Sequence, residues 1–130
     1  MKYDKRYDPP APVVRVRVAN LASPSREAGD VAALIDTGAD MSVVPAGLAR
    51  QVALVPKGIV YVQGYRTGEA EPRPEYFVRI THDRHAVELP VVGDECPELL
   101  LGRDFLRHFT VRLDGPAQEF EMEPGSSSPS

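Results

Sequence analysis

Asp36, Thr37 and Gly38 are the residues of this chain whose types and order are best suited to chemistry, and they follow directly after an apolar run at residues 31–35. A carboxylate at the exit of a buried strand lies where functional groups concentrate. The hydroxyl of Thr37 can hydrogen-bond to neighbouring backbone, and Gly38 allows another backbone to approach closely. All three are also ordinary turn residues, so the tripeptide alone leaves a purely structural turn open.

A second segment of interest lies well downstream of this triplet. Three leucines, residues 99–101, precede Gly102, Arg103 and Asp104, and Phe105 and Leu106 follow. The pattern predicts an apolar strand that ends at a glycine and leads into a short helix.

In combination, the two segments resemble the retropepsins, which are the retroviral-type aspartic proteases and their bacterial and eukaryotic relatives. The resemblance covers about residues 13–122, nearly all of the predicted globular part. It implies that Asp36 is the catalytic carboxylate and that the Thr37 hydroxyl braces the paired loops across a dimer. It also implies that the carbonyl of Gly38 contacts the substrate backbone.

The same resemblance implies roles for residues near the two motifs. Asp40 matches a position that binds the substrate main chain and pairs with Arg103. Leu34 and Leu100 match apolar positions beside the scissile bond, and Gly102 lies where the second segment packs against the catalytic loop. The implied substrate-binding residues are Leu34, Ala39, Asp40, Gly64, Tyr65, Leu100 and Arg103.

A flap that covers the substrate is expected within residues 61–76, with Gly64 and Tyr65 near its tip. Here the sequence departs from the glycine-rich flap of the viral enzymes. Pro72 and Pro74 alternate with charged residues, which makes the return limb stiff and charged. Flap closure is therefore open, and so is the alternative that this is an exposed hairpin with no gating role.

The mechanism that the resemblance implies needs two carboxylates. Two carboxyl groups about 3 Å apart share one proton, because both cannot easily be ionised at once. The ionised member takes a proton from the attacking water, and the protonated member donates toward the peptide carbonyl. No metal or cofactor is required. Because the chain holds a single Asp-Thr-Gly, a two-fold homodimer must supply the second Asp36.

Periodicity predicts an all-β fold. Val14, Val16 and Val18 alternate with arginines, as expected for a strand with one apolar face. Residues 103–109 predict the one convincing helix, and residues 46–51 allow a single helical turn with Pro45 at its first position. With the resemblance, this predicts a closed β-barrel-like domain with one short C-terminal helix. The remaining predicted strands span residues 31–35, 42–44, 59–63, 75–80, 86–92, 99–101, 109–113 and 118–122.

Composition indicates one domain. The 130 residues are 42% hydrophobic and 26% charged, which suits a single compact unit. We expect a flexible segment at residues 1–12, the protease-like domain at 13–123 and a disordered tail at 124–130. The net charge of −4 argues against nucleic acid as a partner. An apolar run long enough for a signal or a membrane span is absent from the sequence, so we expect no membrane partner and a cytoplasmic location.

Other reactive residues give weaker indications. His82 and His85 could form a metal pair, but no cysteine or further histidine lies near them in the sequence, so a solvated turn is the better interpretation. Cys96 lies beside Pro97 without an upstream base, which is typical of an incidental thiol rather than a nucleophile.

The sequence therefore predicts an aspartic endopeptidase that acts on protein or peptide substrates as a homodimer. One alternative keeps the fold without the activity, as a peptide-binding or dimerisation module. Another uses Asp36 as a nucleophile on phosphate, but that chemistry would want a parallel α/β sheet, which the strand-rich pattern does not offer.

Overall fold

The computed structural model describes residues 1–63 and 68–125. Gly64 and Tyr65, two of the predicted flap residues, lie outside the described residues. Nine strands and two short helices make up the described part of the chain. In chain order, these elements are β1 (Val13–Asn20), β2 (Ser23–Ile35), β3 (Val43–Pro45), α1 (Ala46–Gln51), β4 (Gly58–Gln63), β5 (Ala70–His82), β6 (His85–Asp94), β7 (Leu99–Leu101), α2 (Arg103–Leu106), β8 (Phe109–Asp114) and β9 (Glu119–Pro124).

Six strands close into a barrel, as predicted. They follow the order β1-β2-β7-β3-β6-β5, and pairing of β1 with β5 closes the ring. The inward-facing side chains of alternating residues fill the barrel, and on β1 these are the fully buried Val14, Val16 and Val18. Strand β4 pairs with β5 outside the ring, and β8 and β9 form a separate two-stranded sheet.

Strand β7 lies between β2 and β3. It runs parallel to β2, with Leu101 opposite Ile35, and antiparallel to β3, with Leu100 opposite Val43. The loop that joins β2 to β3, residues 36–42, must therefore cross the end of β7. This topology brings the two sequence motifs together at one end of the barrel.

The hairpin of β4 and β5 is longer on its second strand than we expected, because β5 already begins at Ala70 and includes Pro72 and Pro74. Over residues 70–74, the described pairings of β5 are with β4 alone. A strand edge without a neighbour tolerates proline, because no partner there requires its missing N–H. The ladder between β5 and β6 begins at the pair of Glu75 and Val92.

Two expectations about the helices need correction. Residues 46–51 form α1, the helical turn that the sequence allowed, but Pro45 ends β3 and caps α1 rather than occupying its first position. The C-terminal helix ends at Leu106, so Phe109 belongs to β8. The helical spacing of the aromatic residues instead reflects stacking of Phe109 on Phe105, whose ring centroids lie 4.9 Å apart.

The first residues of the chain lie along β9. The Met1 ammonium group donates to the carbonyl of Phe120 at 2.7 Å, and the N–H of Tyr3 donates to the carbonyl of Gln118 at 2.9 Å. The domain boundary that we expected at residue 13 thus leaves out residues that contact the domain. With six and four residues, α1 and α2 are too short to cross a membrane, and the described part of the chain has no other helix.

Candidate active site

Asp36 lies at the first position after β2, where the backbone fixes its orientation. Its N–H donates to the carbonyl of Leu101 at 2.9 Å, which continues the pairing of β2 with β7. One carboxylate oxygen, Oδ1, accepts the N–H of Gly38 at 3.1 Å, and the Asp36 carbonyl accepts the N–H of Ala39 at 3.2 Å. The half-buried carboxylate is therefore held by its own turn.

The far end of this loop is held by a buried polar network. Ser42 is fully buried, and its hydroxyl donates to Asp104 Oδ1 at 2.8 Å while accepting the N–H of Gly102 at 3.0 Å. The N–H of Ser42 also donates to the Asp104 carboxylate at 3.0 Å. Sequence analysis gave neither Ser42 nor Asp104 a role. The signal for Asp104 was its place in the Gly-Arg-Asp segment, whereas a serine within a predicted strand gave none.

Gly102 packs against the loop as the resemblance implied. A Cβ atom at this position would lie 2.7 Å from the carbonyl carbon of Met41 and 2.9 Å from the carbonyl oxygen of Ala39. The next residue, Arg103, donates its N–H to that same Ala39 oxygen at 2.9 Å. Backbone approaches backbone so closely here that only glycine fits without displacement.

Asp40 and Arg103 form the ion pair that the resemblance implied. Their side chains are 83% and 63% exposed, so the pair contributes little to stability. The exposure leaves both groups free to contact another molecule. The predicted roles of these two residues in substrate binding stay predictions.

A groove of about 620 Å³ separates the Asp36 loop from β4. Four predicted site residues line it, namely Asp36, Gly38, Ala39 and Asp40, whereas Thr37 is exposed beside it. The remaining lining residues come from the loop, β3, β4 and β6, and they are Met41, Val43, Val60, Tyr61, Val62, Gln63, Val92 and Asp94.

Leu34 and Leu100 do not line this groove but extend its apolar surface. They lie opposite each other on β2 and β7, and Leu100 also lies opposite Val43 on β3. Their neighbours along each strand are buried in the barrel, so these half-buried side chains point away from the core. Because Val43 lines the groove, an apolar face continues from the groove across the three strands.

Asp94 forms part of the groove wall at the end of β6, and sequence analysis did not identify it. Its Oδ1 accepts a hydrogen bond from Arg73 Nε at 3.0 Å, and Arg73 also donates to Glu71 Oε2 at 2.7 Å. These hydrogen bonds, first to Glu71 and then to Asp94, raise the pKa of Arg73 above its usual value. The guanidinium group, which is charged at any ordinary pH, is thus further stabilised in its charged form by the two carboxylates.

The weaker candidates lie away from the groove. Burial raises the pKa of the Cys96 thiol, and nearby acidic residues add to the effect, so the reactive thiolate is disfavoured. The rings of His82 and His85 lie steeply inclined to the ring of Phe109, with centroids 5.9 Å and 6.4 Å away. That they hold no metal stays a prediction.

The sequence matches the family described as retroviral aspartyl protease over residues 9–114. A search of curated proteins finds no match.

The structure is similar to solved viral proteases. Against the EIAV protease in complex with an inhibitor, the TM-score is 0.52 and the identity 22%, over 75% of this chain and 86% of that one. Against the simian foamy virus protease, the values are 0.54 and 14%, over 74% and 92% of the two chains. Against a foamy viral protease-reverse transcriptase in complex with an RNA/DNA hybrid, the TM-score is 0.54 and the identity 13%, over 75% of this chain and 12% of that one. The fold is therefore retropepsin-like, as the motifs implied.

Proposed function

The chain belongs to the retroviral aspartyl protease family, and on that premise we propose that it is an aspartic endopeptidase that works as a homodimer. One Asp36 from each subunit would form the catalytic pair. The observation that carries the proposal is the Asp36 carboxylate, which its own turn holds in the wall of a groove of about 620 Å³.

The proposed chemistry uses the two carboxyl groups in different protonation states. Held about 3 Å apart across the two-fold axis, they share one proton. The ionised carboxylate removes a proton from a water molecule as the water oxygen attacks the peptide carbonyl carbon. The protonated carboxyl donates toward the carbonyl oxygen, and a proton then goes to the amine that leaves when the C–N bond breaks.

In this proposal, the remaining site residues hold an extended peptide. Asp40 and the carbonyl of Gly38 contact the substrate main chain, and Leu34 and Leu100 contact side chains beside the scissile bond. Thr37 braces the paired loops of the dimer, and Gly64 and Tyr65 contribute from the flap. The apolar face that Val43 shares with Leu34 and Leu100 supports apolar side chains next to the cleaved bond.

The proposal is tested with Asp36→Asn, which removes the carboxylate and changes the side chain little in size. Wild type and variant are incubated with a peptide library from acid to neutral pH, and cleaved bonds are identified by mass spectrometry. We expect Asp36→Asn to lose at least about 100-fold in activity. The matched control is Asp83→Asn, at an exposed turn residue with a positive φ of 57° that asparagine tolerates, and it should cleave the same bonds as wild type.

Equal cleavage by wild type and Asp36→Asn would refute the proposal. A folded wild-type dimer that cleaves nothing would favour the peptide-binding module instead. A mixing experiment tests the shared site directly: excess Asp36→Asn added to wild type should lower the activity per wild-type subunit, because mixed dimers hold a single carboxylate. Unchanged activity per wild-type subunit would place the whole site within one chain.

A further inference from the structure

The hairpin of β4 and β5 leaves the barrel at a defined point. The ladder between β5 and β6 pairs Phe77 with Pro90 and then Glu75 with Val92, which is its first pair along β5. Pro74 precedes this pair and has no N–H with which to extend the ladder. From here toward the hairpin tip, backbone hydrogen bonds no longer tie β5 to β6.

A side-chain contact links β5 to β6 just beyond the last backbone pair of their ladder. Two residues beyond the pair of Glu75 and Val92, the same register places Arg73 opposite Asp94, and Arg73 Nε donates to Asp94 Oδ1 at 3.0 Å. The ion pair thus joins the two strands at the position where the next backbone pair of the ladder would lie. Asp94 is itself oriented by the N–H of Glu95, which donates to Oδ1 at 2.7 Å.

All three nitrogen atoms of the Arg73 guanidinium group make hydrogen bonds. Besides the bond to Asp94, Nη2 donates to Glu71 Oε2 at 2.7 Å and Nη1 donates to the carbonyl of Pro72 at 2.9 Å. The side chain is 27% exposed. The bonds to Glu71 and Pro72 keep the planar guanidinium group against its own strand, and the bond to Asp94 then sets the separation between that strand and the groove wall.

One partner of this contact lines the groove, and the other lies opposite a residue that lines it. Asp94 lines the groove from β6, and Val60, which lies opposite Arg73 on β4, lines it from the hairpin. A change in the distance between Arg73 and Asp94 would therefore change the width of the groove between β4 and the Asp36 loop.

We propose that Arg73 is a positioning residue for peptide cleavage, which acts through Asp94 to hold the β4–β5 hairpin where it can bind substrate. This inference rests on the proposed function. Without the ion pair, the hairpin samples positions that do not bind peptide, and the apparent affinity falls in proportion to the population of the competent position.

The chain offers a matched control in Arg79 and Glu88. These residues lie on the same two strands in the same register, and Arg79 Nε donates to Glu88 Oε2 at 2.9 Å. This pair is exposed, lies within the β5–β6 ladder and does not line the groove. Loss of a surface charge pair as such should therefore have equal effects at both places, whereas loss of hairpin positioning should appear at Arg73 alone.

The experiment measures kcat and KM on a peptide that wild type cleaves, together with urea unfolding midpoints. For Arg73→Gln and Asp94→Asn, we expect KM to rise about tenfold, with kcat within about twofold of wild type. Arg79→Gln should change neither constant by more than about twofold. Arg73→Lys should recover part of the KM loss, since the ammonium group can keep one of the contacts. The double variant Arg73→Asp with Asp94→Arg should bind the peptide better than Arg73→Asp alone or Asp94→Arg alone.

Equal KM values for Arg73→Gln and Arg79→Gln would overturn the proposal. So would a fall in kcat and in the unfolding midpoint with KM unchanged, because that result describes a structural ion pair only. Wild-type protein that cleaves no peptide at all would overturn the proposed function, and this inference with it. Cleavage by wild type with no KM effect at Arg73 would overturn the inference alone.

Discussion

The Asp36 loop and the β4–β5 hairpin face each other across the groove, and they are held in different ways. Backbone hydrogen bonds, a buried serine and a glycine with no free space around it fix the loop. A partly exposed ion pair and the pairing of β4 with β5 hold the hairpin. A reacting carboxylate must be fixed within fractions of an ångström, whereas a covering element must let a peptide enter. The dense packing therefore lies on the side of the groove where the chemistry would occur.

Among the substitutions that test this contrast, the largest loss of stability is expected at Gly102. In Gly102→Ala, the new methyl group would meet the backbone of Met41 at 2.7 Å, and backbone cannot rotate away as a side chain can. We expect a loss of about 3 kcal/mol of unfolding free energy, measured in urea. The control is Gly115→Ala, because no atom lies within 4 Å of a Cβ at that turn, and its effect should stay within about 0.5 kcal/mol. A loss at Gly102 as small as the one at Gly115 would show that the loop is not tightly packed.

A smaller effect on the loop is expected for Ser42→Ala. The substitution removes the hydroxyl that accepts from the N–H of Gly102 and donates to Asp104, which leaves a buried donor without its partner. Such a loss costs about 2 kcal/mol in unfolding free energy. Activity should fall as well, because the far end of the Asp36 loop is released. The exposed Ser23→Ala is the control, and a loss as small as the one at Ser23 would contradict a structural role for the buried network.

The smallest of the three effects is expected at the base of the hairpin. A Cβ at Gly93 would lie 2.6 Å from a ring carbon of Tyr76 and 3.1 Å from Pro74. These neighbours are side chains on β5, so they can move where the backbone around Gly102 cannot. We expect Gly93→Ala to lower the unfolding free energy by about 1 kcal/mol and to raise KM more than it lowers kcat. A stability loss as large as that of Gly102→Ala would show that the hairpin base is as rigid as the loop.

The two motifs could be predicted from the sequence because each combines an apolar strand with residues that end it. Apolar residues at 31–35 and 99–101 fix two buried strands, and the turn residues after them follow from their types. The closed barrel and the contact of Gly102 with the loop came from the resemblance rather than from periodicity, because no local pattern tells which strands are neighbours.

The missed features share a physical reason. The first part of β2, residues 23–30, is mostly polar and exposed, so its pairing with β1 leaves no apolar alternation to detect. Pro72 and Pro74 predict the end of a strand, because prolines are tolerated only where the strand edge is free, and the sequence does not show which edge that is. Ser42 and Asp104, like Arg73 and Asp94, are polar pairs that the fold joins from separate segments, and their residue types alone do not reveal their partners.

The placement of β7 between β2 and β3 has a consequence for the order in which the protein assembles. While the ribosome is still adding residues before Leu99, β2 and β3 exist without the strand that separates them, and Asp36 lacks the Leu101 carbonyl that its N–H will bond. A contact between such distant parts of the chain forms late, because a long loop must close first. Because β7 is itself a strand of the ring, a nascent chain would close its barrel and fix the Asp36 turn in the same late step.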